Sequence, residues 1–445
     1  MSDKGRRRKS PREAETEQAS RAQPRLVVRR LRLVVREGPD SGKSALSEGK
    51  PVVIGTHESA DMVLHDRTVS RFHCEVLLQD GSPVIRDLGS RNGTWVNGVP
   101  VLHAPLLQDS LIAVGRTKLH LDIGKRVKVA ASSRDHFGRL VGRSVSMRAV
   151  YEILEHAAAS DSTVLLEGPT GTGKDLAAEA VHTESARRNG PFVVVDCGAI
   201  PPRLAASEIF GHERGAFTGA VDTRIGALEA ANGGTLFLDE IGELDPQLQP
   251  QLLRAVERRE VKRIGAAAYR PVDVRFIAAT HRDLRSAVNT GGFRSDLFYR
   301  LAVLRVRLPA LSEHLEDLPV LVDALLEDLG ALDHAAAQAL RAEGFLAHLG
   351  HHSWPGNVRE LRNYLEQSLI LESPEPLFAR DGHLPPAVDT SQSLRTARER
   401  WVSAFERRYL EQLVAEHGGN IQAAARAAGV DRTHLYRMLW RHGLR

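Results

Sequence analysis

Lys174 closes the run Gly168-Pro169-Thr170-Gly171-Thr172-Gly173, and Asp175 stands directly behind it. Glycines at this density let backbone N–H groups turn inward around an anion, and the lysine adds a point charge for terminal phosphates. Further along, Asp239 and Glu240 end the apolar run Thr235 to Leu238. Two carboxylates at the end of a buried strand can organise a divalent cation through its waters and polarise an attacking water. The joint chemistry of these residues is hydrolysis of a nucleoside triphosphate: Asp239 would serve Mg2+ and Glu240 the water. A strand ending Asp-Glu is a weak signal alone, but downstream of a phosphate loop it is strong.

Such a loop has to leave a strand and open a helix. Thr163 to Leu166 is a short apolar run, and Leu176 to Val181 reads as the helix that follows. Phe192–Asp196, Thr235–Leu238, Val274–Ala278 and Leu304–Leu308 read as further parallel strands, so the expectation is an α/β sheet with ligands at the strand C-termini. Met147–Ala158 has the spacing of an amphipathic helix. Asp175 departs from the general pattern, in which Ser or Thr at this place ligates Mg2+.

Between the two halves of the site lies Gly215-Ala216-Phe217-Thr218-Gly219-Ala220. The residue types alone allow an ordinary turn whose Phe folds back onto the core. They also allow a mobile tip that offers Phe217 to a partner surface. The position of the segment favours the second.

Together, Glu208–Ala220, Gly168–Asp175 and Gly233–Ile241 closely resemble the central ATPase domain of bacterial sigma-54-dependent transcription activators, enhancer-binding proteins of the AAA+ class. The resemblance runs from about Leu140 to Leu371, and Asp175 fits that family's habit of an acidic residue after the loop lysine. It implies binding of ATP and Mg2+ by Gly168–Asp175, Asp239 and Glu240. It also implies contact of the loop around Phe217 and Thr218 with the sigma-54 subunit of RNA polymerase, and opening of the closed promoter complex at the expense of ATP. Val274–Leu284 resembles the sensor I segment, with His281 where Asn is usual; His281 can bond a γ-phosphate or Glu240. Phe293–Leu301 resembles the arginine-finger region, with Arg294 the first candidate and Arg300 beside it. A finger acting in trans requires a neighbour, so the resemblance implies a homo-oligomeric ring, a hexamer. Trp354–Leu361 resembles sensor II in the lid, which gives Arg359 a place at the phosphates. Ser312 and His314 replace arginines common near there.

Composition sets bounds. At 445 residues the chain exceeds one core, and its net charge of +4 leaves DNA binding to local clusters. No apolar run approaches the roughly 20 residues needed to span a bilayer, and no apolar stretch follows the basic N-terminus. The expectation is a cytoplasmic protein with no membrane partner, in which Cys74 and Cys197 are buried thiols.

Residues 1–24 read as a disordered arm. Over 25–123, short β-prone runs separated by Asp80-Gly81, Asn92-Gly93 and Asn97-Gly98 argue for an all-β sandwich. Val69–His73 and Asp87–Thr94 resemble the forkhead-associated (FHA) domain, a reader of phosphothreonine peptides. Ser70, Arg71 and Arg91 offer a hydroxyl and two guanidinium forks to a phosphate, Asn92 would hold the peptide backbone, and His73 would bond within the fold. Thr56 stands where the family has a phosphate-binding Arg, so a sandwich that only docks on the ATPase stays open beside the phosphothreonine reading.

Residues 124–138 read as a linker, 139–307 as the ATPase core, 308–372 as a helical lid and 373–397 as a second linker. Over 398–445, Asn420 and Asp431 cap helices flanking Gly429, a helix-turn-helix that resembles the Fis-type DNA-binding domain. Arg432, Thr433, His434, Tyr436 and Arg437 suit a major groove, and Fis-type dimers imply paired half-sites. A small helical docking module is the alternative from the residues alone. The chain as a whole reads as multidomain: an all-β FHA sandwich, an α/β AAA+ P-loop ATPase with a helical lid, and an all-α helix-turn-helix.

Overall fold

Apolar residues on both faces of the central strands require cover on both sides, and the computed structural model shows it. The structure describes residues 25–371 except 80, 131, 219 and 333, and residues 406–444 except 408, 411, 412, 415, 416, 418, 419, 429, 442 and 443. The expected arm 1–24, the whole second linker 373–397 and Gly429 lie outside the described residues. Five parallel strands, β1 (Val164–Glu167), β2 (Phe192–Asp196), β3 (Thr235–Asp239), β4 (Arg275–Thr280) and β5 (Leu304–Arg307), pair in the order β2-β3-β4-β1-β5. Val164, Leu166, Phe237, Ile277 and Ala279 face the helices Val145–Ala158 and Lys174–Thr183. The alternate residues Leu165, Leu236, Leu238, Phe276 and Ala278 face the opposite layer. The period of two thus splits each strand between two cores.

The N-terminal strands form two sheets. One pairs Ser44–Glu48, Arg25–Glu37, Thr117–Ala130, Leu111–Val114, Thr94–Val96 and Val99–Val101. The other pairs Met62–Val63, Val52–Gly55, Cys74–Gln79, Ser82–Asp87 and His103–Pro105. Leu31, Leu33, Ile112 and Leu121 meet Val52, Ile54, Val76 and Ile85 in the space between. Residues 124–130, expected as linker, instead continue a strand, with Arg25 opposite Ala130 and Arg29 opposite Arg126. Lys125 and Arg126, whose charge suggested a linker, are exposed on this two-stranded pairing. Cys74 and Cys197 are free and buried, and burial pushes the Cys197 thiol up to about 12, which makes it inert.

Below the ATPase sheet, short helices run from Leu318 to Ile370. Asp317 ties them to the start of the domain: its carboxylate accepts from Arg143 N at 2.6 Å and Ser144 N at 2.7 Å, and pairs with His314 at 3.1 Å. Burial works against its charge, yet these bonds hold the carboxyl below its ordinary value. His314, left without an assigned role by the sequence, is one of these partners.

In the C-terminal unit, Asn420 accepts from Gln422 N and Ala423 N and so opens the helix Ile421–Ala427. Asp431 accepts from His434 N at the start of Arg432–Arg441. Leu410, Ile421, Ala424, Leu435 and Leu439 form its small core.

Candidate nucleotide site and its surroundings

The phosphate loop bridges β1 and the helix Lys174–Thr183, with Gly173 at φ +90° as the helix N-cap. A β-carbon on Gly171 would lie 2.2 Å from Gly356 O in the lid, so only glycine allows this approach. Lys174 is buried, and its Nζ donates to Gly168 O at 3.0 Å and Pro169 O at 3.2 Å. Burial lowers its pKa against the pull of Glu240 and Asp239. Thr172 Oγ1 donates to Pro169 O at 2.9 Å, while Pro169, Thr170 and Asp175 are exposed.

Asp239 ends β3 beside this lysine. Burial raises its pKa, helped by the like charges of Glu240 and Asp196 and opposed by the Glu240 N–H, which donates to its carboxylate at 2.9 Å. Glu240 has φ 47° and ψ 47°, a left-handed backbone that a non-glycine residue holds only under constraint. One constraint comes from β4: His281 places its backbone N–H 3.2 Å and its ring Nδ1 2.7 Å from Glu240 Oε2. Lys174, Asp239, Glu240 and His281 therefore converge at the C-terminal ends of β1, β3 and β4.

The lid closes on the same loop. Arg359 N donates to Gly171 O at 3.3 Å, and Asn357 Nδ2 donates to Thr170 O at 2.9 Å. Asn357, buried at φ +54°, also accepts from Leu311 N at 2.8 Å. Sequence reasoning passed over Asn357; its one signal was an Asn behind Gly356, a pair that tolerates left-handed backbone.

Arg294 and Arg300 are not brought into this cluster. Arg294 pairs with Asp296 at 2.7 Å, and Arg300 with Glu257 at 2.7 Å, both on the exposed surface. In the loop, Phe217 is 41% exposed and meets His212 edge-on at 5.0 Å. Gly215 N donates to Ala220 O, and Ala220 N to Phe217 O, which folds the segment into a tight turn with Thr218 outside. Gly219 lies outside the described residues.

Four stretches match known families: residues 140–307 the Sigma-54 interaction domain, 52–115 the FHA domain, 312–400 the AAA+ ATPase lid domain, and 402–441 the Fis family of bacterial regulatory proteins. The transcriptional regulatory protein GlrR of Escherichia coli K12 is 38% identical over 398 residues, spanning 87% of this chain and 88% of GlrR. The chain belongs to the sigma-54-dependent transcriptional activators. DctD of Pseudomonas aeruginosa, a C4-dicarboxylate transport regulator, is 40% identical over 348 residues, 77% of this chain and 74% of DctD. Crystalline NtrX from Brucella abortus in complex with ATP is 36% identical, with 70% of each chain covered and a TM-score of 0.49.

As a member of this family the chain is an AAA+ ATPase that binds DNA through its Fis-type helix-turn-helix. On the helix Arg432–Arg441, Arg432, His434, Tyr436 and Arg437 are exposed and Leu435 and Leu439 buried, with the Arg432 guanidinium 5.6 Å from the Tyr436 ring. Trp440, 81% exposed on the same helix, escaped the sequence reading. In the sandwich, Ser70 Oγ accepts from Arg91 N at 2.9 Å, which joins the two loops, and Arg71 and Arg91 are exposed. Asn92 Nδ2 donates to Thr68 O at 2.7 Å and His73 bonds Gly93 O at 3.0 Å. Among the described residues no helix is long and apolar enough to cross a membrane.

Proposed function

We propose that this activator couples ATP hydrolysis in a ring, a hexamer, to opening of the sigma-54 polymerase closed complex, and that phosphothreonine signalling through its FHA domain controls it. The observation that carries the motor reading is the meeting of Lys174, Asp239, Glu240 and His281 at three strand ends while Arg294 and Arg300 stand outside. Gly168–Asp175 binds the phosphates and Lys174 their terminal charge. Glu240 orients and polarises the attacking water, His281 sets the position of Glu240, and Arg359 reaches the nucleotide from the lid. A neighbour supplies Arg294, with Arg300 beside it, to the charge developing on the transferred group.

Mg2+ fits the residues present. The carboxylates of Asp239 and Glu240 are hard oxygen donors, too few for an all-protein cage, which is the usual setting for this ion with phosphates and water. Asp239 would hold the ion through water, and the ion would supply neutralisation of the phosphate charge. Gly215–Ala220 presents Phe217 and Thr218 to sigma-54. Arg432, Thr433, His434, Tyr436 and Arg437 read paired half-sites upstream of the promoter.

For the sandwich, half-buried Ser70 ties the loop of exposed Arg71 to that of exposed Arg91, a polar pair of loops that suits a phosphate, with Asn92 beside them. Titration of the full chain with phosphothreonine peptides and their unphosphorylated twins tests this control. Binding of only the phosphorylated set is expected, with loss of most of the affinity in Ser70→Ala or Arg91→Ala. Equal or absent binding of both sets would mean that Thr56 has removed the site and that the signal enters elsewhere.

A further inference from the structure

One end of the sandwich runs on past its own sheet. The strands Arg25–Glu37 and Thr117–Ala130 pair from Arg25 opposite Ala130 to Glu37 opposite Lys118. Their neighbours stop short: Ser44–Glu48 reaches only to Arg30, and Leu111–Val114 only to His120. Arg25–Arg29 and Arg126–Ala130 therefore form a ribbon of two strands, with no third beside it among the described residues. A two-stranded ribbon has open edges and little stability of its own in water, so it gains from a surface that accepts it.

The charge of the ribbon has one sign. Arg29 stands directly opposite Arg126, and like charges in that position work against the pairing. The register then shifts between Arg29 and Leu31, so that Arg30 faces both Gly124 and Lys125 across a bulge. Arg29, Arg30, Lys125 and Arg126 are all exposed. Among the described residues no carboxylate pairs with Arg29, Lys125 or Arg126. Positive charge is thus gathered here against the stability of the strand pair, and a polyanion would offset it.

Spacing and chemistry favour duplex DNA as that polyanion. Successive strand residues rise roughly 3.4 Å, the axial spacing of phosphates along one DNA strand. The major groove admits a two-stranded ribbon, and guanidinium forks match phosphate oxygens. A protein partner calls for an apolar centre inside a polar rim, and a membrane surface calls for apolar side chains to enter it. Exposed Arg29, Arg30, Gly124, Lys125 and Arg126 offer neither. The chain also holds DNA through its helix-turn-helix, which keeps phosphates at high local concentration for a second contact.

We propose that Arg29, Arg30, Lys125 and Arg126 form a second, sequence-independent DNA contact that grips the phosphate backbone. The helix-turn-helix reads the site, and the ribbon adds affinity that salt weakens. The loops of Ser70 and Arg91 belong to the other end of these strands, where Thr68 Oγ1 accepts from Arg116 N at 2.9 Å. The inference therefore fails or stands apart from the phosphothreonine reading.

The test is binding of random-sequence duplex DNA by the full chain over a series of salt concentrations, in the wild type and in Arg29→Ala/Arg126→Ala. Each phosphate contact contributes about 0.9 to the slope of log affinity against log salt, so the double variant is expected to lose about 1.8 from that slope. Its melting temperature is expected to hold or rise, because the like-charge pair is gone, so unfolding would not mimic the result. Arg36→Ala, exposed on the same strand beyond the bulge, is expected to keep the wild-type slope. Arg437→Ala weakens DNA binding without touching the ribbon, which separates failure of the helix reading from failure of this one. An unchanged slope in the double variant would overturn the DNA contact. Loss of binding to phosphatidylserine vesicles alongside that unchanged slope would assign the patch to a membrane surface instead.

Discussion

Glu240→Gln is expected to bind ATP with near wild-type affinity while kcat falls by roughly 10²–10⁴-fold, the usual worth of a positioned general base. The amide keeps the size of the carboxylate and still accepts from the His281 backbone N–H, which lies 3.2 Å from Glu240 Oε2. It cannot take a proton from water. In the proposed reading Lys174 and the Gly168–Gly173 backbone carry the phosphates and Glu240 only the attacking water, so binding is expected to survive. Equilibrium binding of a fluorescent ATP analogue together with single-turnover hydrolysis separates the two. Loss of binding in this variant would place Glu240 in nucleotide recognition instead. Retained turnover would remove it from the chemistry and with it the reading of the β3 end.

Arg294→Ala is expected to lose about 10³-fold or more in kcat, the range for an arginine delivered to a phosphoryl group. Mixing separates a trans finger from a surface ion pair. Arg294 is 48% exposed and rests on Asp296 two residues away, as an ordinary surface pair would. Such a pair contributes about 0–1 kcal/mol to stability and nothing to catalysis. If instead the arginine serves a neighbour, Arg294→Ala and Glu240→Gln subunits complement each other. An equal mixture of the two inactive proteins then recovers about a quarter of wild-type sites by random pairing around a heterologous ring. Additive, near-zero activity in the mixture would contradict a trans finger at Arg294.

Parts of this site were readable before any coordinates because they depend on local rules. A Gly-rich loop between an apolar strand and a helix admits few conformations, and Asp239-Glu240 follows an apolar run whose period of two divides between the layers. The helix-turn-helix was legible for the same reason, since Asn420 and Asp431 cap helices whose buried residues, Ile421, Ala424 and Ala425 and then Leu435 and Leu439, recur at helical spacing. Residues 124–130 were misread because Lys125 and Arg126 are exposed and have no core to face. Pairing with Arg25–Arg29, a purely nonlocal partner, makes them a strand. Ser44–Glu48 was missed for a like reason, as a polar strand at the edge of its sheet.

The contact between sandwich and motor was the least legible feature. A Glu at an outward strand position, as Glu75 is, reads as solvated, and Asn289 before Thr290 and Gly291 reads as the frayed end of a helix. Only the tertiary fold buries Glu75 against Arg285 of the ATPase and bonds Asn289 to the backbone of Phe72 and Leu88 in the sandwich. Asn357 was hidden in the same way, since Pro355-Gly356-Asn357 reads as turn punctuation when its bond to Thr170 O is unseen.

Open-complex formation on a sigma-54 promoter, followed by permanganate footprinting with the wild-type chain and Thr218→Ala, tests the central claim most directly. The account predicts that both proteins hydrolyse ATP at similar rates, that only the wild type melts the start site, and that it does so only with hydrolysable nucleotide. Promoter melting by Thr218→Ala at wild-type efficiency would contradict the assignment of the Gly215–Ala220 loop to sigma-54. Melting without hydrolysis would contradict the motor itself.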